Sequence, residues 1–324
     1  YTGGGCPHIL AEPQRTNKIT YSEAFDNAYW GDASVGTTPV LTSGFTSPDG
    51  TDNAYKISNA NQDSFWYGAS GAFQPTDSRT IYARTVSGTG TAQLLSHNSN
   101  TNNTFNLTEE WQRFEVSSTT SATGNTSFYA VDFRGSGTLT ELLIWGAQSE
   151  AGSYPTSYIP TSGSTVTRNQ DIFTRDGIGS LINSTEGVLF VEMASLANDG
   201  TYKGISLSDG STSNVVRFYT NPTENQLSIR VTVAGVHQFN VVYTLTDLTT
   251  YNKVALKYKA NDFAFWVNGV EVKTYLSGTT FTSNTLNKLA LSNGAGSDYF
   301  FGKVKQIQVY DTALTDTQLA ALTS

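Results

Sequence analysis

The amino-acid sequence predicts an all-β protein of two β-sandwich (jelly-roll) domains in tandem, ending in a short C-terminal helical turn. Three observations carry this reading. Charged residues are only 14% of the 324 residues, against 38% hydrophobic and 12% aromatic. Thr, Ser, Asn and Gly fill the difference, and they suit strand faces and tight turns but make poor helix interiors. Short apolar or aromatic runs bounded by Gly, Ser, Pro or Asp recur roughly every dozen residues, the rhythm of a sandwich or jelly roll. At the midpoint that rhythm breaks once, in "QSEAGSYPTSYIPTSGSTVTRNQD" (148–171), and it restarts on the far side.

The first strand set follows the turn in "SPDGTDNAYKIS" (47–58), where Pro48 presets φ and Asp49-Gly50 favours a reversal. It continues through "SFWYG" (64–68), "RTIYART" (79–85), "TAQLLSH" (91–97), "WQRFEVSS" (111–118), "TSFYAVDF" (126–133) and "TLTELLIWGAQ" (138–148). In "WQRFEV" alternation puts Trp111, Arg113 and Glu115 on one face and Gln112, Phe114 and Val116 on the other. The second set runs from "GVLFVEMAS" (187–195) through "YKGISLSD" (202–209), "NVVRFYT" (214–220), "QLSIRVTV" (226–233), "VHQFNVVYT" (236–244) and "YNKVALKYKA" (251–260). It closes with "DFAFWVNGVEVKTY" (262–275), "KLALSNG" (288–294) and "YFFGKVKQIQVYD" (299–311). Apolar residues alternate on both sides of Asn268-Gly269, the strongest short hairpin signal. In the tail, Thr315 or Asp316 is the N-cap of one or two helical turns, with Leu314, Leu319 and Leu322 as the apolar stripe. The expected organisation is an N-terminal extension at 1–15, a jelly roll at 16–150, a Pro/Gly/Ser/Thr linker at 151–168 and a second sandwich at 169–324. Tyr154, Tyr158 and Ile159 mark that linker as extended and packed on a neighbour.

Charge narrows the partners. There are 19 Lys and Arg against 27 Asp and Glu, a net charge of −8, with no basic run or stripe. The electrostatic footprint of a nucleic-acid partner is therefore missing, and the acidity serves solubility. Cys6 is the only cysteine, so neither an internal disulfide nor a multi-thiolate zinc site can form. No apolar run approaches the ~18 residues of a membrane span, so no membrane insertion is expected.

Several stretches resemble known families. "YNKVALKYKANDFAFWVNGVEVKTY" followed by "FGKVKQIQVYDTALTDTQLAAL" resembles the laminin G-like, concanavalin A-like lectin/glucanase superfamily over about 170–324. "TNKITYSEAFDNAYW", "SFWYGASGAF", "LTEEWQRFEVSS" and "LLIWGAQSEAGSYPTSYIPT" are similar to the jelly-roll carbohydrate-binding modules of families 4 and 9. "EPQRTNKITYSEAF" and "AGSYPTSYIPTSGSTVTRNQD" look like segments that recur in bacteriophage tail-fibre and virion-surface proteins. That last resemblance implies further chain before Tyr1, a place on the virion surface, other virion subunits as neighbours, and a homo-oligomer.

Hydrolases of the concanavalin A-like fold carry acids on one strand in a pattern like Glu-x-Asp-x-x-Glu, where acid and nucleophile flank the scissile bond. Here Glu186 and Glu192 share a face without the middle acid, and no Gly-x-Ser-x-Gly elbow, HExxH or paired histidines occur. His8, His97 and His237 are far apart in sequence. No catalytic residue is assigned, and the chain is not expected to be an enzyme. Sugar binding asks instead for exposed aromatic faces beside polar groups. The candidates are Tyr29 and Trp30 in "NAYWGD", Trp66 and Tyr67 in "DSFWYG", and Tyr202 and Tyr299 in loops at the rim of the second sandwich. No cofactor is required. Calcium takes six or more oxygens, and the candidate ligands of a structural Ca2+ are Asp49, Asp52, Asp199, Asp209 and Asp298. The expected function is a non-catalytic virion adhesin that recognises a host-surface glycan. A structural virion or capsid-decoration protein, and a polysaccharide-active enzyme or its binding module, stand as alternatives.

Overall fold

The computed structural model describes residues 8–35, 39–59, 64–74, 76–96, 103–117, 127–133 and 137–324, with the backbone alone at 32–35, 64–66 and 96. Cys6 and His97 lie outside the described residues, as does the side chain of Trp66. Two sandwiches divide the chain, one of residues 14–169 and one of residues 8–13 with 170–324.

In the 14–169 unit, alternating strands form two five-stranded sheets. One has the order Gln112–Val116, Asp77–Arg84, Glu141–Ala151, Ala54–Ser58, Val40–Phe45; the other has Gly31–Val35, Ser64–Ser70, Ser127–Asp132, Gly90–Ser96, Thr104–Leu107. Ile57, Ile81 and Ile144 from the first sheet meet Leu94, Phe128 and Val131 from the second in one core. Burying these side chains fully stabilises the unit by about 1.5–3 kcal/mol each before entropy is counted.

The second unit has two six-stranded sheets. The first orders Ile9–Ala11, Gly302–Tyr310, Glu186–Ser195, Asn252–Lys259, Phe263–Val267, Val270–Tyr275. The second orders Thr174–Arg175, Lys288–Ala290, Gly204–Ser208, Val215–Thr220, Gln226–Val233, Val236–Thr244. Leu189, Leu256 and Phe265 of the first meet Phe218, Ile229 and Phe239 of the second. The expected hairpin is present: Asn268 and Gly269 take φ of 47° and 84°, the left-handed pair that matches strand twist.

The expected helix is Asp316–Thr323. Thr315 caps it, accepting from the Gln318 amide while the Gln318 side chain accepts from the Thr315 amide. Its buried Leu319 covers Phe190 and Trp266 on the outer face of the first sheet. Thr315→Ala is expected to cost about 1 kcal/mol, read as a fall of roughly 2–4 °C in the thermal midpoint of this unit. Among the described residues no helix is long and apolar enough to cross a membrane.

Two boundaries differ from expectation. Residues 151–168 are not a linker: Val166–Arg168 pairs with Arg15–Asn17, and buried polar side chains bind the stretch into the 14–169 unit. Within the expected N-terminal extension at 1–15, the described residues are also built into the fold. Ile9–Ala11 adds an edge strand to Gly302–Tyr310, with Ala11 fully buried. The edge of that sheet offers unpaired N–H and C=O groups, which a short strand satisfies. Glu12 and Asp171 then exchange hydrogen bonds of 2.9 Å, Glu12 N to Asp171 Oδ2 and Asp171 N to Glu12 O.

Candidate functional site

Of the expected sugar-binding aromatics of the first unit, Tyr29, Trp30 and Tyr67 do not converge on an exposed surface. Trp30 and Tyr67 belong to the core, 5% and 6% exposed, and their rings stack at 6.2 Å. Buried polar tips need partners. Trp30 Nε1 donates to Tyr21 O at 2.8 Å, and the Tyr67 hydroxyl donates to Phe25 O. Tyr29 is half-buried between Tyr21 and Trp30. The loop "NAYWGD" is polar in sequence, yet its rings turn inward and plug the sandwich.

The aspartates do not converge either. Asp49 accepts from Ser47 Oγ, Thr51 N and Thr51 Oγ1, and these bonds hold its carboxyl below the usual range. Asp52 accepts from Thr46 Oγ1, and Asp209 from Ser211 N and Asn214 Nδ2. Asp199 pairs with the buried Lys203 at 2.7 Å. These are turn residues whose oxygens the protein itself satisfies. Among the described residues no group of three or more His, Cys, Asp or Glu is placed to hold a metal. The two acids sharing a strand face are likewise occupied, Glu186 by Lys259 at 3.0 Å and Glu192 by Lys305 at 3.1 Å.

A different set comes together on the second unit. In Val215–Thr220, Val216 and Phe218 enter the core, so alternation turns Arg217 and Tyr219 outward. In Gln226–Val233, Ile229 and Val231 enter the core, so Arg230 faces outward. The register sets Arg217 directly opposite Arg230, and Arg230 opposite Asn240. Both guanidiniums lie over the Tyr219 ring, their Cζ atoms 4.5 and 5.2 Å from its centroid. The Tyr202 ring, half exposed, stands 6.2 Å from that of Tyr219. With Asp298 these residues line an open cleft of about 260 Å3.

Two loops fix the rim. Lys203 Nζ donates to Asp199 Oδ1 and Ala197 O, and Thr220 Oγ1 donates to Thr201 O, so the backbone on both sides of Tyr202 is tied down. Burial pushes the Asp199 carboxyl up, but hydrogen bonds from Lys203 and Thr201 and the Lys203 charge outweigh it and hold the carboxyl below its ordinary range. Asp298 sits at φ 50°, where its O accepts from Gly204 N at 2.7 Å and its Oδ2 accepts from Asn293 Nδ2 at 3.0 Å. Tyr299 is half-buried beside it, its backbone bridging Gly204.

The cleft is electropositive. Burial above all lowers the Arg217 pKa; Tyr219 and Asp298 pull it back up, and Arg230 lowers it further. The guanidinium stays charged. Nearby on the same sheet, burial and then the charges of Arg230 and Arg217 hold the His237 imidazole below its usual range. Thr232 Oγ1 lies 3.1 Å from His237 Nδ1. An exposed ring, two forked cations and a carboxylate can hold a polar ring by its face and its hydroxyls.

Tyr202 and Asp298 were among the residues singled out from sequence; Arg217, Tyr219 and Arg230 were not. Alternation in "NVVRFYT" and "QLSIRVTV" puts all three off the core face, which was the available signal. Their meeting depends on the cross-strand register, which no local pattern encodes.

Residues 190–320 match the family model described as the concanavalin A-like lectin/glucanases superfamily. Nothing among curated proteins matches the chain. Solved structures with a similar fold include the Ruminococcus gnavus IT-sialidase CBM40 bound to α2,3 sialyllactose. It is 16% identical with a TM-score of 0.39, over 47% of this chain and 98% of that one. Domain 4 of AbnA, a GH43 extracellular arabinanase from Geobacillus stearothermophilus, in complex with arabinotriose, is 12% identical with a TM-score of 0.39, over 54% and 84%. CG-16, a homodimeric agglutinin from chicken liver, is 12% identical with a TM-score of 0.30, over 43% and 99%. Likeness at this distance carries neither ligand nor chemistry across.

Proposed function

We propose that the chain is a non-catalytic glycan-binding protein, with the saccharide held in the cleft of Tyr202, Arg217, Tyr219, Arg230 and Asp298. The observation that carries this is the composition of the cleft: a half-exposed tyrosine beside two outward guanidiniums and a carboxylate, on one sheet face of a lectin-like sandwich. The tyrosine face suits the C–H face of a pyranose, and the charged groups suit its hydroxyls.

The test is binding of the purified, folded chain to a broad panel of bacterial and algal glycans. Tyr202→Ala is expected to weaken binding about tenfold, as loss of one stacking ring, with the thermal midpoint unchanged because the ring is half exposed. Calcium has no part in this reading, since the candidate aspartates are satisfied by Lys203, Ser, Thr and Asn donors; chelator is expected to leave binding intact. Silence across the panel would overturn the proposal in favour of a structural role.

The wider role proposed is that of a phage adhesin on the virion surface, assembled with other virion subunits as a homo-oligomer and addressing a host glycan. Its support is the resemblance of "EPQRTNKITYSEAF" and "AGSYPTSYIPTSGSTVTRNQD" to virion-surface segments. Saturable attachment of the fluorescently labelled chain to intact bacteria, competed by the glycan identified on the panel, would support it.

A further inference from the structure

We infer that the cleft selects an acidic saccharide, whose carboxylate, sulfate or phosphate group lies between Arg217 and Arg230 while its ring lies against Tyr202. This rests on the glycan-binding reading and adds the class of sugar.

Four observations carry it. Like charges directly opposite on neighbouring strands destabilise a sheet, and Arg217 faces Arg230 in register. A bound anion between them would turn that repulsion into attraction. The two guanidiniums share the Tyr219 ring as a floor, and planar forks held in this way fit two oxygens of one oxyanion, which ammonium groups do not. Arg217 also has unused capacity: its Nε is buried and has no hydrogen-bond partner among the described residues. A buried donor left unmade is costly, so the guanidinium gains by turning toward an oxyanion in the cleft.

Charge balance gives the fourth. The cleft holds two guanidiniums and one carboxylate, and Asp298 already accepts from Asn293 Nδ2. A net positive cleft on a chain of net charge −8 is a local exception. The volume of about 260 Å3 lies below the ~300–1,000 Å3 of drug-sized sites, so one sugar ring fits and an extended chain would run out over the rim. A neutral glycan would use Tyr202 and Asp298 but would leave two cations sharing the single negative charge of Asp298.

The test is calorimetric titration of the full chain with matched pairs: sialyllactose against lactose, trigalacturonate against its methyl ester, and 6-sulfated or 6-phosphorylated galactose against galactose. At least one acidic member is expected to bind saturably, at least about tenfold tighter than its neutral partner, and more weakly as salt is raised. Arg217→Gln is expected to cost about tenfold to a hundredfold in affinity, the size of a lost charged hydrogen bond, and Arg230→Gln a similar amount. Arg217→Lys, which keeps the charge but loses the fork, is expected to fall between wild type and Arg217→Gln. The thermal midpoint reports that each variant is folded. The acidic member that binds identifies carboxylate or ester anion. Equal affinity for the members of each pair, unmoved by salt and by both Gln variants, would overturn the acidic preference and leave the glycan reading standing. No binding by any member, together with silence on the wider panel, would overturn both.

Discussion

Trp30→Ala is expected to destabilise the 14–169 unit by about 3–5 kcal/mol, the range for deleting a buried aromatic. For a unit of this size that is a fall on the order of 10 °C in its midpoint. Trp30 is wedged between Phe25 at 4.7 Å, Tyr67 at 6.2 Å and Phe128 at 6.0 Å, ring centroid to ring centroid. Truncation removes contacts from all three and leaves a cavity that neighbouring sheets cannot close. It also strands Tyr21 O, which accepts the indole N–H. Trp30→Phe keeps most of the apolar contact and loses the hydrogen bond, so it is expected to cost less than half as much. Differential scanning calorimetry separates this loss from the second unit, and glycan binding by that unit is expected to persist. A midpoint within about 1 °C of wild type, with glycan binding lost, would return Trp30 to the surface role its loop first suggested.

The Trp30 reversal shows what alternation can and cannot reveal. It identified "NVVRFYT", "QLSIRVTV" and the Asn268-Gly269 hairpin because a two-residue period and a positive-φ turn are local properties. The helix was legible for the same reason, through Thr315 and the stripe of Leu314, Leu319 and Leu322. Whether an aromatic in a polar loop points in or out is not local. Trp30 is drawn inward by Phe25, Tyr67 and Phe128, which reach it from other strands and the preceding loop. The edge strand Ile9–Ala11 was illegible on similar grounds, since its partner, Gly302–Tyr310, lies almost the whole chain away. At the candidate site, the loops bearing Tyr202 and Asp298 announced themselves by composition. The arginines did not, because a single Arg in an alternating strand reads as ordinary surface until the register sets a second one opposite.

Register over long separations also explains why two distant motifs occur together in one chain. Asn17, in "EPQRTN", is fully buried. Its Nδ2 donates to Ala147 O at 3.2 Å and Ile159 O at 2.8 Å, while its Oδ1 accepts from Ile19 N and Ser149 N, both at 3.1 Å. The stretch it reaches is fastened by its own polar residues. Gln148 Oε1 accepts from Ile159 N at 2.7 Å, Glu150 Oε2 from Thr156 Oγ1 at 2.8 Å, and Ser22 Oγ from both the Tyr158 hydroxyl and Thr161 N. The prolines and glycines that read as a spacer set the path of a strap, and buried amides and hydroxyls in both motifs hold it down. Asn17 satisfies four backbone groups at once. Asn17→Ala leaves two N–H and two C=O groups buried without it, each worth about 1–3 kcal/mol. The expected loss is therefore about 4 kcal/mol or more, several times that of Thr315→Ala. Asn17→Asp is expected to do no better, because it replaces two donors with an acceptor facing two carbonyls. The loss should appear in hydrogen exchange as faster exchange at the Ile159 and Thr161 amides, ahead of the core amides of Ile81 and Ile144. Wild-type exchange at Ile159 in Asn17→Ala, with a midpoint shifted by less than about 2 °C, would mean that the strap holds without Asn17 and that the pairing of the two motifs needs another cause.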